Sequence, residues 1–221
     1  MNKALSFVRL DFLTVKSYLK NSLILFAVVA LIVILSTGVS TIVVSVVMVF
    51  AALLAAYPFA IGEKNNIDAL YPTLSINRRT VVLGRYLFAL IVDICSGLFA
   101  CLFAFAALTV MQKDFNAWES LAAILIIFLV YSGLQAVQLP IFFKLGYMKA
   151  KILAYLPFFG LFLLVFVFFN FLENSIKQVS VLFEWFAANP IVTVIFVMVV
   201  WLGIMLLSYK ASLSFYSKRD F

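Results

Sequence analysis

One carboxylate stands alone in apolar surroundings. Asp93 is the only charged residue in the stretch 86–111. On a helix it lies ~12 Å further along the axis than Arg85. Ionising a carboxyl group in such a setting is costly, so it either serves a site, binding a cation or carrying a proton, or acts as a structural hydrogen-bonding residue. No basic residue stands at similar depth to complete a proton relay, which favours the structural role. Ser132, Gln135 and Gln138 are the second polar set, sharing one ~120° arc of a helix. Amides on a lipid-facing surface are unfavourable, so this arc faces a bundle or a wet cavity. It either lines a pathway or makes interhelical hydrogen bonds, and spacing alone leaves both open.

Most other chemistry is excluded by composition. The chain has no histidine, which removes His-based triads and His metal ligation. Its two cysteines, Cys95 and Cys101, stand six positions apart in one apolar run. A helix separates them by ~9 Å, too far for a disulfide. None of the eight glycines opens a phosphate-cradling GxxxxGK[ST] loop, so nucleotide would have to bind on another polypeptide. Intramembrane proteolysis needs a Ser/His pair, an Asp pair or a metal motif, and the chain offers none of these.

The solvent for most of these residues is lipid. Of 221 residues 67% are apolar and 11% charged, and mean hydropathy is +1.20. A soluble globule cannot cover that much apolar side chain. Charge-free runs divide the chain into spans. The first run, 21–62, would measure ~63 Å as one helix, twice the hydrocarbon thickness, so it must fold back. The polar, glycine-containing stretch 36–41 is where it turns. Six spans follow, at 21–36, 40–61, 86–111, 120–143, 152–172 and 188–209. The alternating segments of a β-barrel are absent. The expected fold is an all-α membrane protein, with residues 1–20 as an interface helix and 21–221 as a six-span transmembrane domain.

Orientation follows from lysine and arginine. Fourteen of the 16 basic residues fall at one end of these spans, and only Lys113 and Lys177 fall at the other. The positive-inside rule then places both termini in the cytoplasm. The start reads as uncleaved, because removing the first span would invert this bias. The net charge of +7 is accounted for by anionic headgroups and calls for no nucleic acid.

Three stretches extend beyond the spans. Residues 3–20 place Leu5, Val8, Phe12, Val15 and Leu19 on one stripe, as in an amphipathic helix lying in the interface. The connection 62–85 is far longer than joining two spans requires. Within it Asn65 or Asn66 opens a short helix through Ile67, Asp68, Ala69, Leu70 and Tyr71, which Pro72 ends, and Asn77 caps the next helix. Ile67, Leu70 and Tyr71 are expected to be exposed, for a docking partner or the headgroups. Residues 173–190 are amphipathic and aromatic-rich, consistent with a re-entrant segment or an interfacial belt. Within the spans, Ala51/Ala55, Ala52/Ala56 and Ser96/Ala100/Ala104 are stripes for close helix packing. Phe158, Phe162, Phe166 and Phe169 form one aromatic face.

The connection from Glu63 to Leu87 resembles that of bacterial type-2 ATP-binding-cassette (ABC) exporter permeases. Those read as an acidic-polar stretch, a Leu-Pro-Ile-Ser-Arg-like turn, then Val-x-x-Lys-Tyr-Leu. Here the turn is Leu74-Ser75-Ile76-Asn77-Arg78 and the entry is Val82-Leu83-Gly84-Arg85-Tyr86-Leu87. Ser75 replaces the usual proline, Asn77 the serine and Arg85 the lysine. The small size and short external loops are similar to the compact phenol-soluble-modulin-type peptide exporters. The resemblance implies a coupling helix at Asn66, Ile67, Asp68, Ala69, Leu70 and Tyr71, seated in a separate cytoplasmic ATPase that carries the ATP and magnesium. It also implies a second permease copy and an amphipathic or hydrophobic cargo, a peptide in the compact exporters, moved outward. The chain itself would bind no cofactor and catalyse nothing. Asp93, Ser132, Gln135 and Gln138 would be candidates for the pathway. Two other functions fit the same topology: a membrane immunity or sensor protein that binds a peptide, and a proton-coupled transporter working through Asp93.

Overall fold

The computed structural model describes residues 4–16, 24, 27–29, 40–67, 70–71, 76–110, 117–171 and 189–219, and all secondary structure among them is helical. Six helices carry the architecture. They are α1 (residues 4–16), α2 (Ser40–Lys64), α3 (Arg78–Val110), α4 (Ala117–Leu145), α5 (Tyr147–Phe171) and α6 (Pro190–Ser217). Among the described residues four stretches are long and apolar enough to cross a membrane: Val44–Lys64, Arg78–Phe103, Leu125–Leu145 and Val192–Ser217. α5 runs unbroken over almost all of the fifth expected span, and 25 residues give it ~37 Å of length. Apart from residues 24 and 27–29, the first expected span lies outside the described residues, as does most of 173–190; of the expected turn at 36–41, residues 36–39 lie outside them and Ser40 and Thr41 begin α2.

α4 sits at the centre and packs against α2, α3, α5 and α6. The alanine stripe does what small residues do in a bundle: Ala51, Ala52, Ala55 and Ala56 are all buried, and α2 packs closely on α3. Pro58, Pro140 and Pro157 lie inside α2, α4 and α5, which continue through them. Neighbouring helices in a bundle tolerate such interruptions.

The helix boundaries follow local chemistry. Asn77 caps α3 as expected, its side-chain oxygen accepting the Arg79 N–H at 3.1 Å. Asn66 adopts φ 50° directly after α2 and its N–H reaches the Glu63 carbonyl. It therefore ends α2 in the left-handed conformation that asparagine tolerates, and helix resumes at Ile67.

α1 is helical as expected, but the face it buries differs. Ala4, Phe7, Val8, Asp11 and Val15 are buried, whereas Leu5, Leu10 and Leu13 are exposed. The expected stripe keeps Val8 and Val15 inside but loses Leu5, and Leu19 lies outside the described residues. The reason is tertiary. Val8 and Val15 join Ala51 and Leu54 of α2 and Phe88 and Val92 of α3 in one core, so α1 docks on the bundle.

Candidate functional site

Two sets of residues were singled out by type and spacing, and they lie in different parts of the fold. The first is inside the bundle. Asp93 on α3 and Ser132, Gln135 and Gln138 on α4 are all buried. Gln135 Nε2 donates to Asp93 Oδ1 at 2.7 Å, joining α3 to α4. Ser132 turns the other way. Its hydroxyl donates to the Phe128 carbonyl and accepts from Trp201 Nε1 at 2.8 Å, which ties α4 to α6. Gln138 makes no such link: its Nε2, like Asp93 Oδ2, meets no hydrogen-bond partner among the described residues. The arc thus turns to the bundle interior as its amides require, and two of its three members bond across helices.

Nearer the basic end lies a cluster the spacing did not reveal. The Tyr86 hydroxyl on α3 meets the hydroxyls of Ser208 and Ser212 on α6, the latter at 2.8 Å, and Ser208 donates to the Ala136 carbonyl of α4. Ser208 and Ser212 stand one turn apart, a signal present in the sequence but masked by the apolar residues around them. In hydrocarbon every such group needs an internal partner, and here one tyrosine serves two serines.

The second set is the connection between α2 and α3. Leu70 is exposed at 52%, but Tyr71 is buried and Ile67 is partly buried against the core. The expectation of three exposed side chains therefore holds for Leu70 alone. Tyr71 is covered because its ring packs edge-on against Phe7 of α1, with centroids 5.2 Å apart. Asp68 and Ala69 lie outside the described residues. Phe7 in turn lies on Gly84 of α3. A Cβ at that glycine would come within 2.5 Å of the Phe7 ring, so the two helices cross where only hydrogen fits.

Arg85, one residue on, is a cation at the span boundary in the sequence. It is buried, its Nε 3.2 Å from Asp11 Oδ2, and its guanidinium stacks 4.5 Å from the Phe59 ring centroid. The lone acid of α1 and an arginine 74 positions later thus form a buried ion pair at the junction of three helices. Two further contacts close this end. Glu63 Oε2 accepts the Met148 N–H at 2.9 Å, occupying the open N-terminus of α5. Arg78 at the start of α3 donates to the last carbonyls of α6, at Tyr216 and Ser217. The ends of α2, α4 and α6 and the starts of α3 and α5 therefore meet at one face, the end that carries the basic residues.

Among the described residues no three Cys, Asp or Glu side chains gather as a metal site. The arrangement has the character of a bundle with a mechanically tied connection. Among known families, the model of the ABC-2 family transporter proteins matches residues 6–217. The chain belongs to the ABC-2 transporter family. An ABC-2 family protein is a multi-pass membrane component of an ABC transporter, with no catalytic role of its own, and the family typically works with an ATPase subunit. No curated protein and no solved structure matches the chain.

Proposed function

We propose that this ABC-2 protein is the permease of an ATP-driven exporter, working with a separate cytoplasmic ATPase through the connection at 66–71. The observation that carries this reading is the build of that connection. Leu70 points outward while its neighbour Tyr71 is clamped by Phe7, and Phe7 bears on Gly84 and the Arg85–Asp11 pair. A force applied at Leu70 would reach α1 and α3 without crossing a flexible loop. Nucleotide on the ATPase must favour one arrangement of these helices over another for this to move cargo.

The rest of the proposal follows the chain's charge and size. Six spans cross the membrane, with both termini cytoplasmic and ATP and magnesium on the partner. Two permease copies assemble with two ATPases and move an amphipathic or hydrophobic cargo, a peptide, outward. The Gln135–Asp93 bond supports a structural role for the intramembrane carboxylate over proton coupling.

The test is affinity purification of the tagged chain from native membranes in mild detergent, followed by mass spectrometry and an ATPase assay. A stoichiometric ATPase that is lost on deleting residues 67–71 is the expected result. Failure to recover any ATPase even after crosslinking, or normal ATP-driven export by the deletion, would overturn the proposal.

A further inference from the structure

A second feature belongs to neither set of residues. Between α2, α4 and α5 an open groove of about 880 Å³ runs inward from the basic end. Its volume is within the usual range for small-molecule sites. Its walls are apolar, with Leu53 of α2, Leu134 of α4 and Phe159 of α5 among them. Its mouth is polar: Tyr147, Lys151 and Tyr155 stand on successive turns at the start of α5. Among the described residues Lys151 is the only charged side chain in the lining, and it is exposed.

Depth can be read along two helices. Phe159 lies ~12 Å past Lys151 on α5, and Leu53 lies ~16 Å from the Lys64 end of α2. The groove therefore begins at the level where headgroups meet the bundle and ends well inside hydrocarbon. It is open at the side, where Ile152 is 78% and Phe159 71% exposed.

We infer that this groove holds an acyl chain of an anionic glycerophospholipid from the leaflet at the basic end, with its phosphate on Lys151 and the hydroxyls of Tyr147 and Tyr155. Charge complementarity selects the occupant. A zwitterionic lipid would fill the apolar part equally but gain less at Lys151, because basic pockets between helices at this level select anionic headgroups. A second copy of the chain fits poorly. In a side-by-side pair both basic ends share one level, so Lys151 would face like charge. Among the described residues the acids at that end are Asp11 and Glu63, and these already contact Arg85 and the Met148 N–H. The inference does not depend on the ATPase partnership; the proposed orientation only names the leaflet as cytoplasmic.

The test uses the full-length chain in nanodiscs containing equal phosphatidylglycerol and phosphatidylcholine, one of the two carrying a photoreactive acyl chain in each experiment. Adducts are mapped by proteolysis and mass spectrometry. Phosphatidylglycerol is expected to label the groove around residues 53, 134 and 159 about fivefold more than phosphatidylcholine, the worth of one basic residue against an anionic surface. Lys151→Gln should bring the ratio near one, while Lys149→Gln, an exposed lysine outside the lining, should leave it unchanged. Leu53→Trp should lower labelling by both lipids. Equal labelling by the two lipids, equal loss in both lysine variants, or adducts only elsewhere would overturn the inference. So would efficient crosslinking of Phe159→Cys between two copies in lipid, in a Cys95→Ala, Cys101→Ala background, which would assign the groove to a dimer contact.

Discussion

Arg85 of α3 and Asp11 of α1 form an ion pair at 3.2 Å with each side chain only 2% exposed. Both charges have left water, and such a pair holds only where geometry and further contacts compensate. Here the guanidinium also lies against the rings of Phe59 and Phe7, a desolvated cation–π arrangement. Because Phe7 packs on Tyr71, the pair anchors the α2–α3 connection as well as α1.

Removing one partner should therefore be worse than removing both. Asp11→Asn leaves the buried guanidinium without this carboxylate and should destabilise the chain by about 3–5 kcal/mol. The double change Asp11→Leu, Arg85→Met should be much milder. Thermal unfolding of the full-length chain in detergent, followed by size exclusion, checks this. An Asp11→Asn variant as stable as the parent would mean the pair contributes nothing.

The Gly84 crossing gives a second, independent prediction. A methyl group there would drive into Phe7, so Gly84→Ala should cost about 1–3 kcal/mol through overpacking. Phe7→Ala makes room for that methyl. In a double-mutant cycle the two changes should be strongly non-additive, with the double variant recovering part of the loss. Additive losses would show that the helices do not meet there.

The particular residues explain what could be read from the sequence and what could not. Helices over five of the expected spans and Asn77 as the α3 cap follow from local pattern, because charge-free length and a side-chain oxygen next to a helix start act within a few residues. Arg85 escaped for the opposite reason. A cation at a span boundary looks the same whether it snorkels or pairs, and its partner Asp11 lies 74 positions away. Tyr71 escaped likewise, since a short helix does not reveal which side another helix will cover. Ser132, Gln135 and Gln138 are legible as a buried arc, because polar groups at that spacing share one helix face. Their partners Asp93 and Trp201 depend on how α3 and α6 rotate against α4, which no single helix dictates.

The α4–α5 corner turns on a glycine. Gly146 has φ 78°, a conformation L residues rarely adopt, and a Cβ there would approach Arg219 Nη2 and the Glu63 carboxylate within about 3 Å. Gly146→Ala should lower stability by about 1–3 kcal/mol from backbone strain alone. Glu63→Gln keeps a carbonyl oxygen to accept the Met148 N–H and should be tolerated better than Glu63→Ala, which leaves the α5 N-terminus open. Unfolding midpoints for the three variants, compared under one detergent condition, decide the order.

Asp93 offers the sharpest functional contrast. Its Oδ1 accepts from Gln135 while its Oδ2 has no partner among the described residues. If its role is to join α3 to α4, Asp93→Asn preserves an oxygen that Gln135 can reach. That variant should stay within about 1 kcal/mol of the parent, the net worth of a typical hydrogen bond. Asp93→Leu strands the Gln135 amide and should cost more, about 1–3 kcal/mol, with Gln135→Leu combined on it recovering part of the loss. In reconstituted vesicles with the partner ATPase, Asp93→Asn should retain ATP-driven export. If instead the carboxylate carries protons, Asn cannot replace it. Export by Asp93→Asn would then vanish although the variant folds, and an imposed proton gradient would drive the parent without ATP. A folded, inactive Asp93→Asn would transfer the assignment from packing to proton coupling.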